Sequence, residues 1–101
     1  MAVCFVLRMR VKEGSEEEFL RRYDALHRRI GQGLEGHIVH YLCRQADETD
    51  RWLMTSYWDD LESSQAWERS DEHRELTHPL RECWDEAERA AYDVRVETRH
   101  P

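Results

Sequence analysis

Between Val3 and Val11 the chain alternates strictly. Phe5, Leu7, Met9 and Val11 fall on one side and Cys4, Val6, Arg8 and Arg10 on the other, the period-two signature of a strand. Lys12-Glu13-Gly14 turns the chain, and Ser15 is placed to cap a helix with Glu18 three residues later. Phe19, Leu20, Tyr23, Leu26, His27 and Ile30 then recur at helical spacing, giving one apolar stripe. Such a strand and helix need a sheet to return to, and the rest of the chain supplies it.

Gly31, Gly33 and Gly36 end the helix, and Ile38 to Arg44 and Arg51 to Trp58 read as a hairpin joined by the polar loop Gln45 to Asp50. Asp59 with Glu62 has the spacing of a capping box and opens a short helix to about Arg69. Ser70, followed by Asp71 and Glu72, caps a second helix running toward Glu86. Ala90 to Thr98 alternates again, burying Ala90, Tyr92, Val94 and Val96. The first crossover predicts parallel neighbours and the hairpin antiparallel ones, so the fold class is α+β, a ferredoxin-like βαββ(αα)β plan with a largely antiparallel sheet. With no repeat, linker or low-complexity segment, residues 1–101 form a single domain.

The hairpin carries apolar residues on both faces. Val39 and Tyr41 oppose Ile38 and Leu42, while Trp52, Met54 and Trp58 oppose Leu53 and Tyr57. Helices can cover only one face of this sheet, so a second copy of the chain is the simplest cover for the other, and a homodimer is expected.

The balance of charges narrows the partners. A net charge of −7 repels phosphate backbones, and the arginines are spread from Arg8 to Arg99 without a basic block, so no nucleic acid is expected. No apolar run approaches the roughly 18 to 20 residues that span a bilayer. The run Ala2 to Leu7 lacks the flanks of a signal peptide, so no membrane partner and a cytoplasmic location are expected. Cys4, Cys43 and Cys83 are far apart and in no metal or redox spacing, and are expected reduced and buried.

Chemistry is concentrated between Trp52 and Trp84. On a helical wheel His73, Leu76, Thr77, Leu80, Cys83 and Trp84 share one face, so His73 points inward. It is either a core histidine satisfied by a backbone carbonyl or an acid, base or ligand. His78 falls off that face, and Pro79 after it predicts a kink or restart. Trp67, one turn after Ser63 and Ser64, is either a hydrophobic anchor or the wall of a cavity. Trp58 and Trp84 are assigned mainly to packing. His37 and His40, three apart on a strand, should point to opposite faces and make poor co-ligands, so no metal site is expected.

Val11-Lys12-Glu13-Gly14 before a helix with Phe19, Gly36 opening a strand, Tyr57-Trp58, and Trp67-Glu68-Arg69-Ser70-Asp71-Glu72-His73 follow one another in a recognisable order. From Val3 to Val96 this pattern resembles the antibiotic biosynthesis monooxygenase family. The resemblance implies a dimeric α+β barrel with a pocket between helices and sheet in each subunit. It implies oxidation of an anthrone-like or polyketide-like aromatic substrate by molecular oxygen as co-substrate, with no metal or flavin cofactor, the protein supplying position, desolvation and a proton acceptor. Trp67 matches the family's pocket tryptophan, and His73 falls where some quinone-forming members carry a tyrosine, so these two are the expected catalytic residues. Ser63, where such members can carry asparagine, joins Tyr57, Thr77 and Trp84 as the expected substrate-binding set. The haem-degrading branch of the fold needs an axial histidine and a first-strand asparagine. Here Leu7 stands about where the asparagine would be, and His78 lies one residue beyond the ligand position, so haem degradation ranks below oxidation, cyclisation of a polyketide and simple ligand binding.

Overall fold

The computed structural model describes residues 2–101 as a four-stranded sheet and three helices. In chain order these are β1 (Val3–Val11), α1 (Glu16–Gly31), β2 (His37–Arg44), β3 (Arg51–Trp58), α2 (Leu61–Arg69), α3 (Asp71–Arg81) and β4 (Trp84–Asp93). The strand order is β2-β3-β1-β4, and every neighbouring pair is antiparallel. The fold is the expected ferredoxin-like α+β plan, but the crossover through α1 creates no parallel neighbours. It carries the chain past the position that β3 later fills, so β3 separates β1 from β2.

The helices pack on one face of the sheet. Phe19, Tyr23 and Leu26 of α1 and Leu80 of α3 meet Met9 and Val11 of β1 and Trp52 and Met54 of β3 in one buried cluster. Phe19 has no exposed surface and stands edge-on to Trp52 at 5.4 Å, a geometry that favours the aromatic quadrupoles beyond area burial alone. This cluster fills the Met9–Val11 end of the helix–sheet space. At the Phe5–Leu7 end the β1 side chains are only half-buried, and there the layers part.

Local signals held at one cap and shifted at others. The Ser70 hydroxyl accepts the backbone N–H of His73 at 3.1 Å, as expected. The cap of α2 is Asp60, whose carboxylate accepts the Ser63 N–H at 2.7 Å, not Asp59 of the expected box. Ser15 makes no side-chain cap because its backbone is not extended, and Glu18 turns instead to Arg21 and Arg22. Pro79 does not break α3: the one ladder bond it removes lies in the last turn, where its carbonyl accepts Arg22 Nη1 at 2.8 Å.

The last strand lies earlier than expected. It begins at Trp84 and ends at Asp93, pairing along β1 from Val11 to Val3, so α3 stops at Arg81 rather than running toward Glu86. Tyr92 and Val96 are accordingly 50% and 82% exposed instead of buried. Of the three cysteines only Cys83 is buried, with Cys4 half-buried and Cys43 exposed, and all are free. The face of the sheet away from the helices carries Val39, Tyr41, Leu53 and Tyr57, with Tyr41 52% exposed. Among the described residues no helix is long and apolar enough to cross a membrane.

Candidate functional site

The site begins with an irregularity in β2. His37 pairs with Trp58, Val39 with Tyr57 and His40 with Ser56, so two residues of β3 are matched by three of β2 and Ile38 is the extra one. A bulge of this kind changes the face on which later side chains emerge. It places His37 and His40 together on the helix-facing side with Trp58 and Ser56, which overturns the expectation that the two histidines point to opposite faces. Their ring centroids lie 6.4 Å apart, and His37 stands edge-on to Trp58 at 4.9 Å.

Gly36 makes the approach to this bulge possible. Its φ of +76° is one that side chains disfavour, and a Cβ there would collide with the Ser63 side chain. Its carbonyl accepts the Asp59 N–H at 2.7 Å, tying the start of β2 to the end of β3.

Between sheet and helices opens a cavity of about 350 Å³, within the range of small-molecule sites. Its apolar surface comes from Phe5, Leu7, Leu26, Ile30 and Met54, its aromatic walls from Trp58, Trp67 and Trp84. Polar groups enter from two sides: His37, His40 and Ser56 from β2 and β3, and His73, Thr77, Arg81 and Arg89 from α3 and β4. Trp67 is fixed between the His73 ring, edge-on at 5.3 Å, and the Arg29 guanidinium, 5.9 Å from its centroid. Arg29 is itself held by Glu72 at 2.7 Å and the Gly33 carbonyl at 2.9 Å.

All three imidazoles are pushed toward the neutral form. Burial lowers His40 to about 4, with the charges of His37 and His27 acting in the same direction. Burial also lowers His37, partly offset by a hydrogen bond with the Val39 backbone. His73 is lowered by burial first and then by Arg81 and Arg89, while a hydrogen bond with the Glu68 backbone opposes them. His73 therefore has the backbone partner expected of a core histidine, and it also lines the cavity. His40 Nδ1 and Ser56 Oγ lie 2.5 Å apart. The Nε2 atoms of His37 and His40 are buried and find no hydrogen-bond partner in the protein.

Of the residues expected from sequence, Trp67, His73, Thr77 and Trp84 line this cavity. Trp84 does so while packing against Phe19 at 6.3 Å. Two do not reach it. Tyr57 pairs with Cys4, one residue out of phase with Ser56 and Trp58, and so faces the opposite side of the sheet. Ser63 lines a separate depression on the far side of Trp67, where it packs against Gly36. His78 is exposed and outside the cavity lining, and Leu7 offers the lining only an apolar side chain, so neither requirement of the haem-degrading branch is met. Sequence reasoning missed His37, His40, Ser56, Arg81 and Arg89. Ser56 had left a mark, as the one polar residue in the alternating face Trp52, Met54, Ser56, Trp58.

A helix-covered antiparallel sheet thus encloses an apolar, imidazole-lined cavity of small-molecule size. Residues 2–78 match the family described as antibiotic biosynthesis monooxygenase, and the chain belongs to that family. The 42.8 kDa protein in the whiE locus of Streptomyces coelicolor is 33% identical over 96 residues, which are 95% of this chain and 24% of that protein. The chain thus spans about a quarter of the length of this relative. A conserved protein from Methanosarcina mazei superposes with a TM-score of 0.83 at 27% identity, over 91% of both chains. SnoaB from Streptomyces nogalater, a cofactor-independent oxygenase, superposes with a TM-score of 0.81 at 20% identity over 95% of both chains, a likeness of fold.

Proposed function

We propose that the protein is a cofactor-independent monooxygenase that oxidises an aromatic, anthrone-like or polyketide-like small molecule with molecular oxygen. The observation that carries this reading is the Trp67–His73 pair, an aromatic wall with a neutral imidazole edge-on to it inside an otherwise apolar cavity. In the reaction a ring methylene becomes a carbonyl. One oxygen atom forms the new C=O, and the other leaves as water with the two hydrogens lost from carbon. Trp67 positions the ring system, the apolar lining excludes bulk water, and His73 accepts the proton whose loss makes the substrate electron-rich enough to reduce oxygen. Membership of the family and the fold shared with SnoaB support the reading.

The exposed face bearing Tyr41 and Tyr92 supports a homodimer assembled through the open side of the sheet. Sedimentation that gives a monomer mass at every concentration would contradict it.

The function is tested by incubating the protein with an anthrone under air and under nitrogen, following quinone formation and oxygen uptake. Turnover is expected only under air, to fall by about a hundredfold or more in His73→Ala, the scale of a lost general base, and to fall in Trp67→Phe as positioning is lost. Tight binding of the anthrone with no oxygen-dependent turnover would sink the oxygenase reading and leave a cyclase or a ligand-binding dimer.

A further inference from the structure

The Trp67–His73 pair accounts for one side of the cavity only. On the other side His37 and His40 bring two imidazoles to the lining through the β2 bulge, and each keeps a buried Nε2 with no partner in the protein. A buried polar atom left in that state costs about as much as a broken hydrogen bond, so a cluster of two asks for an outside partner.

His40 is not loosely placed. Its Nδ1 is anchored on Ser56 Oγ at 2.5 Å and its ring stacks on Tyr23 at 6.1 Å. With Nδ1 committed, the Nε2 role is set: a donor if the serine hydroxyl donates to Nδ1, an acceptor if Nδ1–H donates to the serine. A hydroxyl can donate or accept, and so satisfies either arrangement. The two polar ends of the cavity are also distinct. His40 feels the charges of His37 and His27, whereas His73 feels those of Arg81 and Arg89. β2 and β4 are the two edge strands, three strand spacings or roughly 14 Å apart.

We propose that the Nε2 atoms of His37 and His40 form a second polar station, which takes a hydroxyl group on the aromatic guest, with Ser56 as the positioning residue for His40. The substrate is then a ring system that carries a hydroxyl at the histidine pair, away from the end that reacts beside His73. This rests on the proposed function for what happens at the His73 end, but the station itself is a matter of binding.

The test compares 2-naphthol with its methyl ether as cavity probes, by fluorescence titration and by the imidazole nitrogen resonances of histidine-labelled protein. The naphthol is expected to bind about tenfold more tightly than the ether, the scale of one added hydrogen bond, and to shift the His40 Nε2 resonance. In His40→Phe the preference is expected to vanish while ether binding stays, which shows the cavity intact. Ser56→Ala should weaken the preference and Ser56→Thr restore it. Equal binding of naphthol and ether by the native protein, or a preference that persists in His40→Phe and disappears in His73→Ala, would overturn the proposal while leaving the oxygenase reading standing. A His40-dependent preference in a protein that gives no oxygen-dependent turnover would do the reverse.

Discussion

Lowering the pH from 7.5 to 4.5 should cost the native state on the order of 3 kcal/mol through His40 alone. The ring is held at about 4 by burial and by His37 and His27, against 6.5 for an unperturbed histidine. At roughly 1.4 kcal/mol per pH unit, that displacement gives about 3 kcal/mol once titration is complete. The sign follows from which state binds the proton. Below 6.5 the unfolded chain protonates and the native ring does not, so the stability is fully present above 6.5 and is lost as pH falls toward 4. His37 and His73 are lowered in the same direction and add to the effect. Glu18, Asp60 and Asp85 are held below their ordinary values by hydrogen bonds to Arg21 and Arg22, to Ser63 and to Arg10, so their losses come at lower pH, whereas Glu68, raised by burial, protonates within this window and offsets part of the cost. The assay is urea denaturation at fixed protein concentration across the range, on the native protein and on His40→Gln. A slope unchanged in His40→Gln would refute the assignment.

Gly36→Ala should destabilise by about 2 kcal/mol, combining a disfavoured φ with the contact on Ser63. In a double-mutant cycle Ser63→Gly should recover the contact portion, and strictly additive denaturation midpoints would contradict the close approach. Asp60→Ala should cost about 1 kcal/mol while Asp59→Ala stays within about 0.5, measured the same way, because only Asp60 caps α2. Deleting Ile38 should cost on the order of 1 kcal/mol, the scale of an ordinary substitution, since it removes the unpaired bulge residue and leaves His37 and His40 on one face. Deleting Tyr41 should unfold the protein by slipping the register, and comparable melting of the two deletions would count against the bulge.

What could be read from the sequence was whatever depends on periodicity and on caps close in the chain. The alternation in β1, the stripe of α1 and the Ser70 cap each follow from residues within a few positions of one another. The misplaced β4 shows where this fails. Asp85 and Glu86 read as a charged helix end, yet an edge strand with a wet rim tolerates such residues, and only pairing with β1 makes them a strand. The same holds in the site. His73 and Thr77 came from a helical wheel because α3 is regular, and Trp67 from its one-turn spacing on α2 and from the family resemblance. His37 and His40 were misassigned because a bulge is a property of two strands, and strict alternation along one of them gives the wrong face.

The charges around the cavity close the argument. The chain is acidic overall, at −7, and carboxylates neutralise most of its arginines nearby. Arg81 and Arg89 line the cavity, and neither makes an ion pair among the described residues. Their field, after burial, helps keep the His73 ring neutral, which on the proposed reading leaves it able to accept a proton at neutral pH. The same field favours any negative charge that develops on a guest beside it. On the proposed reading the two effects cooperate. The arginines disfavour the imidazolium and favour the substrate anion, so they are expected to tune the His73 end while the neutral histidine pair on β2 fixes how the ring system lies.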